Sequence, residues 1–169
     1  QVKKGFDIKR INKDDILTCR PRGARPAIAI PTDITGITKK YTTHPDYSHI
    51  PPGHLYVYTD GSTYGNGTRH ARGGYSIFYS SSDLPPVYGP IKQDKVTNCV
   101  AELTAILETL RSVVSLKYEQ VHIYSDCEYA MDVITGKKNA YVNLNLVEPA
   151  IALFKELSGR VKFIHVRSH

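Results

Sequence analysis

The sequence contains no tryptophan, one methionine and three cysteines in 169 residues. The cysteines, Cys19, Cys99 and Cys127, form no C-x-x-C pair and are odd in number. That argues against a disulfide framework and against a cysteine-ligated zinc site. It suits an intracellular, reducing compartment, cytoplasm or nucleus. No run of 18 apolar residues exists, so no membrane-spanning helix and no membrane partner are expected. No apolar h-region stands near the start, so no secretory signal is expected. Internal repeats and low-complexity segments are absent as well.

What is present is an ordinary globular composition, 41% hydrophobic and 22% charged, with a net charge of +6. The length suits one domain with one hydrophobic core. The charge is uneven. Residues 1–50 carry 10 Lys/Arg against 5 Asp/Glu, whereas 51–169 carry 12 against 11. A basic N-terminal arm can neutralise phosphates, or it can simply be a solvated linker. The sequence opens on Gln1 rather than Met and stops at His169 directly after a strand-like run. It therefore reads as a piece of a longer polypeptide.

Residues 1–53 show little periodicity. Arg20-Pro21-Arg22-Gly23-Ala24-Arg25-Pro26 cannot be regular helix, and breakers recur to Pro51-Pro52-Gly53. We read 1–53 as a basic, largely irregular extension or connector, with one short strand at Ala27–Ile30. From His54 the pattern changes. Leu55 to Asp60 and Gly74 to Tyr79 are rich in β-branched and aromatic residues and predict strands, separated by a turn-rich loop from Gly61 to Gly73. Val87 to Ile91 predicts a short third strand.

Val100, Leu103, Ile106, Leu107, Leu110, Val113 and Val114 follow helical spacing, with Thr97 or Asn98 as N-cap. Gln120 to Ser125 predicts a strand, with Val121 and Ile123 on one face and His122 and Tyr124 on the other. A short helix after Asp126 should stop near Gly136. Asn145 followed by Glu148 resembles a capping box that opens a helix through Leu157. Val161 to Val166 predicts the last strand. Three consecutive strands make a meander, and strands joined through helices pair in parallel. The expected fold is α/β, a mixed five-stranded sheet with helices on its faces.

Three carboxylates stand where such a sheet hands over to its loops and helices. Asp60 is expected to end the first strand and Asp126 the fourth, while Glu102 lies one turn inside the first helix. Singly, each has a plain structural explanation as a turn former or a helix-dipole partner. Together they form a cluster of like charge that a hard divalent cation, Mg²⁺ or Mn²⁺, would relieve. Two such ions about 4 Å apart can activate a water and steady a leaving oxygen. His122 and His165 read as structural histidines, and Cys99 and Cys127 as packing residues.

The motifs "YTDGS" at 58–62, "TNCVAELTAI" at 97–106, "YSD" at 124–126 and "HVRSH" at 165–169 resemble type 1 ribonuclease H. The resemblance covers 54–169 and fails over 1–53. It implies a ribonuclease H-like fold and hydrolysis of the RNA strand of RNA–DNA hybrids. It also implies two Mg²⁺ ions, or Mn²⁺, on Asp60, Glu102 and Asp126. His169 matches the mobile-loop histidine linked to proton transfer or product departure. Asn66 and Asn98 match readers of the RNA minor groove and its 2′-hydroxyls. Lys95, Thr97 and Asn145 match a pocket for a DNA-strand phosphate, and Tyr129 an aromatic along the DNA sugar path.

The chain also departs from that pattern. The family's fourth metal-linked carboxylate lies beyond the mobile-loop histidine, and this sequence stops before it. The segment from Gly136 to Asn145 lacks the tryptophan-bearing basic protrusion and keeps only Lys137 and Lys138. A short handle and an unrelated arm also fit a ribonuclease H domain of a reverse transcriptase polyprotein, with a polymerase domain in the same polypeptide. A catalytically silent module that binds hybrid or protein is a further reading, which the intact carboxylate set opposes. A transposase or integrase on the same fold fits the "DGS" and "TN" residues less well.

Overall fold

In the computed structural model the described residues are 26–27, 37–42, 44–45, 50–157 and 159–166. Among the described residues eight strands form: β1 (Pro26–Ala27), β2 (Ile37–Thr42), β3 (His44–Pro45), β4 (His54–Tyr64), β5 (Arg72–Tyr79), β6 (Val87–Pro90), β7 (Gln120–Ser125) and β8 (Val161–Val166). Among the same residues are the helices α1 (Asn98–Val113), α2 (Glu128–Thr135) and α3 (Leu144–Leu157). The main sheet has the order β2-β8-β7-β4-β5-β6. β4, β5 and β6 run antiparallel as a meander. β7 is parallel to β4, and β8 to β7, each reached through helices. These are the five strands that the hydrophobic pattern predicts.

A sixth strand comes from the extension. β2 pairs in parallel with β8, with Ile37 opposite Phe163 and Thr38 opposite Ile164. The extension is therefore not irregular throughout. β1 and β3 form a separate parallel pair, Pro26 with His44 and Ala27 with Pro45. Of the strand expected at Ala27–Ile30, only Ala27 falls in β1, and 28–30 lie outside the described residues.

Strand alternation sorts the side chains onto two faces. Leu55, Val57, Val121, Ile123 and Phe163 join α1, α2 and α3 in the larger core. Tyr56, Tyr58, Tyr124, Ile164 and Val166 make a second, aromatic cluster on the opposite face. Among the described residues, all three helices contribute to the first core only. α2 stops at Gly136, whose φ of +86° closes the helix in the left-handed region, as expected.

α3 starts differently from the predicted capping box. Asn143, at φ 57°, supplies the carbonyl that accepts from Leu146 and Val147, and the helix begins at Leu144. Asn145 thus lies inside the first turn and is not the N-cap.

Candidate metal centre and nucleic-acid interface

The register explains why two of the carboxylates meet. The β4–β7 ladder ends at Tyr58 opposite Tyr124. Asp60 and Asp126 each lie two residues beyond that pair, so the parting strands deliver them side by side. β4 does not end at Asp60; it continues to Tyr64 against β5, with Asp60 opposite Ser76. The expected Gly61–Gly73 loop shrinks accordingly to the seven residues between Tyr64 and Arg72.

α1 brings the third carboxylate. Gly61 lets β4 press onto the helix backbone at Ala101 and Glu102, where no side chain would fit. Glu102 is consequently buried, at 3% exposure. One carboxylate oxygen from each of Asp60, Glu102 and Asp126 lies within 4.8 Å of the others. Three hard oxygen donors on three elements fit a divalent cation, which would also offset their mutual repulsion.

The N-terminus of α1 is fixed by two side chains. Thr97 is the N-cap and accepts from the Val100 N–H at 3.2 Å. Asn66 Oδ1, from the β4–β5 loop, accepts from the Asn98 N–H at 3.0 Å. The Thr63 hydroxyl donates to Asn98 Oδ1. Asn66 and Asn98, expected to read the minor groove, are therefore directly bonded beside the carboxylate cluster. The part Thr63 plays in this was not anticipated, and its only sequence signal is its place three residues after Asp60.

The proposed phosphate pocket is arranged less simply. Lys95 is exposed and Thr97 is engaged as a cap. Asn145 Nδ2 donates to Gln93 Oε1 at 2.7 Å, a partner the sequence did not suggest. Both line a cleft of about 540 Å³ with Tyr88, Lys92, Glu108 and Arg111. Arg111 pairs with Glu108 at 2.7 Å, which leaves Lys92 as that cleft's cation without an ion-pair partner among the described residues. Tyr129, in the first turn of α2, packs against the main core with part of its surface exposed. His169 lies outside the described residues.

Other candidates take structural roles. Burial raises the Cys99 thiol above its ordinary range, so it stays protonated and packs. His122 is buried on the aromatic face, 2.9 Å from His54 Nδ1 through its Nε2. Burial first, then His54 and Lys162, push His122 down to about 4. It is a neutral sheet histidine, as the alternation suggests.

The sequence profile of the RNase H family matches residues 52–169. A ribonuclease H of Saccharomyces cerevisiae is 30% identical over 95 residues, covering 53% of this chain and 27% of that protein. A ribonuclease H of Clostridium botulinum is 31% identical over 135 residues, covering 67% of this chain and 82% of that protein. The chain thus spans about a quarter of the yeast relative and about four-fifths of the clostridial one. A foamy-viral protease–reverse transcriptase, solved in complex with dsDNA, shares the fold with a TM-score of 0.55 at 15% identity. That match covers 68% of this chain and 82% of that one.

Proposed function

The chain belongs to the RNase H family, and from that premise we propose that it cleaves the RNA strand of RNA–DNA hybrids by metal-dependent in-line hydrolysis. The convergence of Asp60, Glu102 and Asp126 within 4.8 Å carries this reading. Two Mg²⁺ or Mn²⁺ ions held there would supply activation of the attacking water and neutralisation of charge at the scissile phosphate. Asp60 and Asp126 project from the sheet edge, and Glu102 anchors the set from the buried side. Asn66 and Asn98 face the minor groove and recognise ribose, so selectivity comes from sugar chemistry rather than base sequence. Lys95, with Thr97 and Asn145, attracts and positions a phosphate of the DNA strand. Tyr129 supports the same strand through its exposed edge. His169 assists proton transfer or product departure.

A second reading sets the same chemistry in a reverse transcriptase polyprotein. The short Gly136–Asn143 connection and the basic segment 1–53 favour it, and the foamy-viral neighbour supplies a precedent. Polymerase motifs upstream in the gene would establish it, and their absence would dismiss it.

The activity is tested with a hybrid labelled in turn on each strand. Mg²⁺-dependent cutting of the RNA strand alone, leaving 5′-phosphate and 3′-hydroxyl ends, is the expected result. Hybrid binding without cleavage would instead support a silent binding module.

A further inference from the structure

Thr63, Asn98 and Asn66 form one run of hydrogen bonds beside the carboxylates. Thr63 is buried on β4, 1% exposed. Its hydroxyl donates to Asn98 Oδ1, while the Asn98 N–H donates to Asn66 Oδ1. The backbone bond fixes where Asn98 stands, and with the Thr63 hydroxyl acting as donor the amide meets it through Oδ1. A carboxamide is planar, and its two ends are nearly the same size. Once Oδ1 is engaged by Thr63, Nδ2 is turned to the opposite side, where it has no partner among the described residues.

The direction matters because the acceptors of an RNA minor groove are base N3 and O2 atoms and the 2′-hydroxyl oxygen. Nδ2 facing outward offers two N–H donors to them. The flipped amide would set Oδ1 against their lone pairs. We propose that Thr63 is a specificity-determining positioning residue, which holds the Asn98 amide with its donor end toward the minor groove of the hybrid. This rests on the hybrid-cleaving reading. Thr63 itself stays behind Asn98 and acts only through it.

The test is binding, read in an Asp60→Asn background that removes cleavage. An RNA–DNA hybrid and a DNA duplex of the same sequence are titrated by fluorescence anisotropy. Thr63→Val should weaken hybrid binding about fivefold, the worth of one hydrogen bond, and weaken DNA-duplex binding less, because only the hybrid adds the 2′-hydroxyl acceptor. Thr63→Ser should keep the wild-type preference. Thr63→Cys, with a weak donor of similar size, should fall between and serves if the valine variant does not fold.

Asn98→Asp keeps the acceptor and loses the donor. Adding Thr63→Val to it should cost nothing more, because the two residues act as one unit. A folded Thr63→Val or Thr63→Cys chain with undiminished hybrid preference overturns the assignment, as do additive losses in the double variant. A starting chain with no preference for hybrid overturns the hybrid reading itself, and this inference with it.

Discussion

Gly61 lies flat against the backbone at Glu102: a Cβ on Gly61 would sit 2.5 Å from the Glu102 nitrogen and 2.4 Å from the Ala101 carbonyl carbon. Real Cβ atoms do not approach backbone that closely, so the helix can hand Glu102 to the cluster only because position 61 has no side chain. Gly61→Ala should force α1 away from β4. The expected cost is about 1–3 kcal/mol of stability, the usual range for overpacking. Mn²⁺ affinity should fall with it, since the three oxygens no longer converge. Urea unfolding and calorimetric Mn²⁺ titration check both, and unchanged values in both would show that the contact is not tight.

Glu102→Gln separates charge from shape. Without metal, removing one of three crowded carboxylate charges should leave stability equal or higher, because repulsion is relieved. Mn²⁺ binding should weaken by about tenfold or more, a loss of at least 1.4 kcal/mol. Calorimetry and urea unfolding of the same sample read both effects. Metal-free destabilisation with undiminished Mn²⁺ binding would make Glu102 a purely structural residue.

His122 should make the fold acid-sensitive. Its folded value, about 4, lies below the ordinary 6.5 because burial, His54 and Lys162 all oppose a charge there. The unfolded chain takes up this proton first. The stabilising contribution is therefore complete above about pH 6.5 and is lost as pH falls through that value toward 4. The loss should reach roughly 3 kcal/mol at the acid end. Unfolding followed across that window in the parent and in His122→Phe checks it, and the variant should show a shallower decline.

The extension should matter to the fold as well as to charge. β2 pairs along the outer edge of β8, so removing residues 1–53 would leave that parallel strand as a bare edge. The shortened chain should unfold at lower urea and self-associate at concentrations where the parent stays monodisperse. Sedimentation velocity and urea midpoints read this. Identical behaviour would return 1–53 to the role of a connector.

The local signals in this sequence were strong where the chemistry lies within one element. Asp60 and Asp126 follow β-branched, aromatic runs, and Glu102 follows a Thr cap into a helix of clear period. Each could be placed before its partners were known. The match in register past Tyr58 and Tyr124, which brings the carboxylates together, depends on parallel pairing and was legible only as topology.

What escaped the reading depends on long-range contacts. Thr63 and Asn98 are 35 residues apart, and His54 and His122 are 68 apart. Ile37–Thr42 carries Lys39 and Lys40 amid proline- and glycine-rich sequence, a pattern that suits an edge strand but does not announce one. Asn145 carried a capping-box signal that the left-handed Asn143 overrode two residues earlier.

The central claim is tested most directly by incubating the protein with three labelled duplexes in Mg²⁺: RNA–DNA, RNA–RNA and DNA–DNA. The account predicts cleavage of the RNA strand in the hybrid alone, abolished by EDTA and by Asp60→Asn. Cleavage that survives Asp60→Asn, or that takes all three duplexes equally, would contradict it.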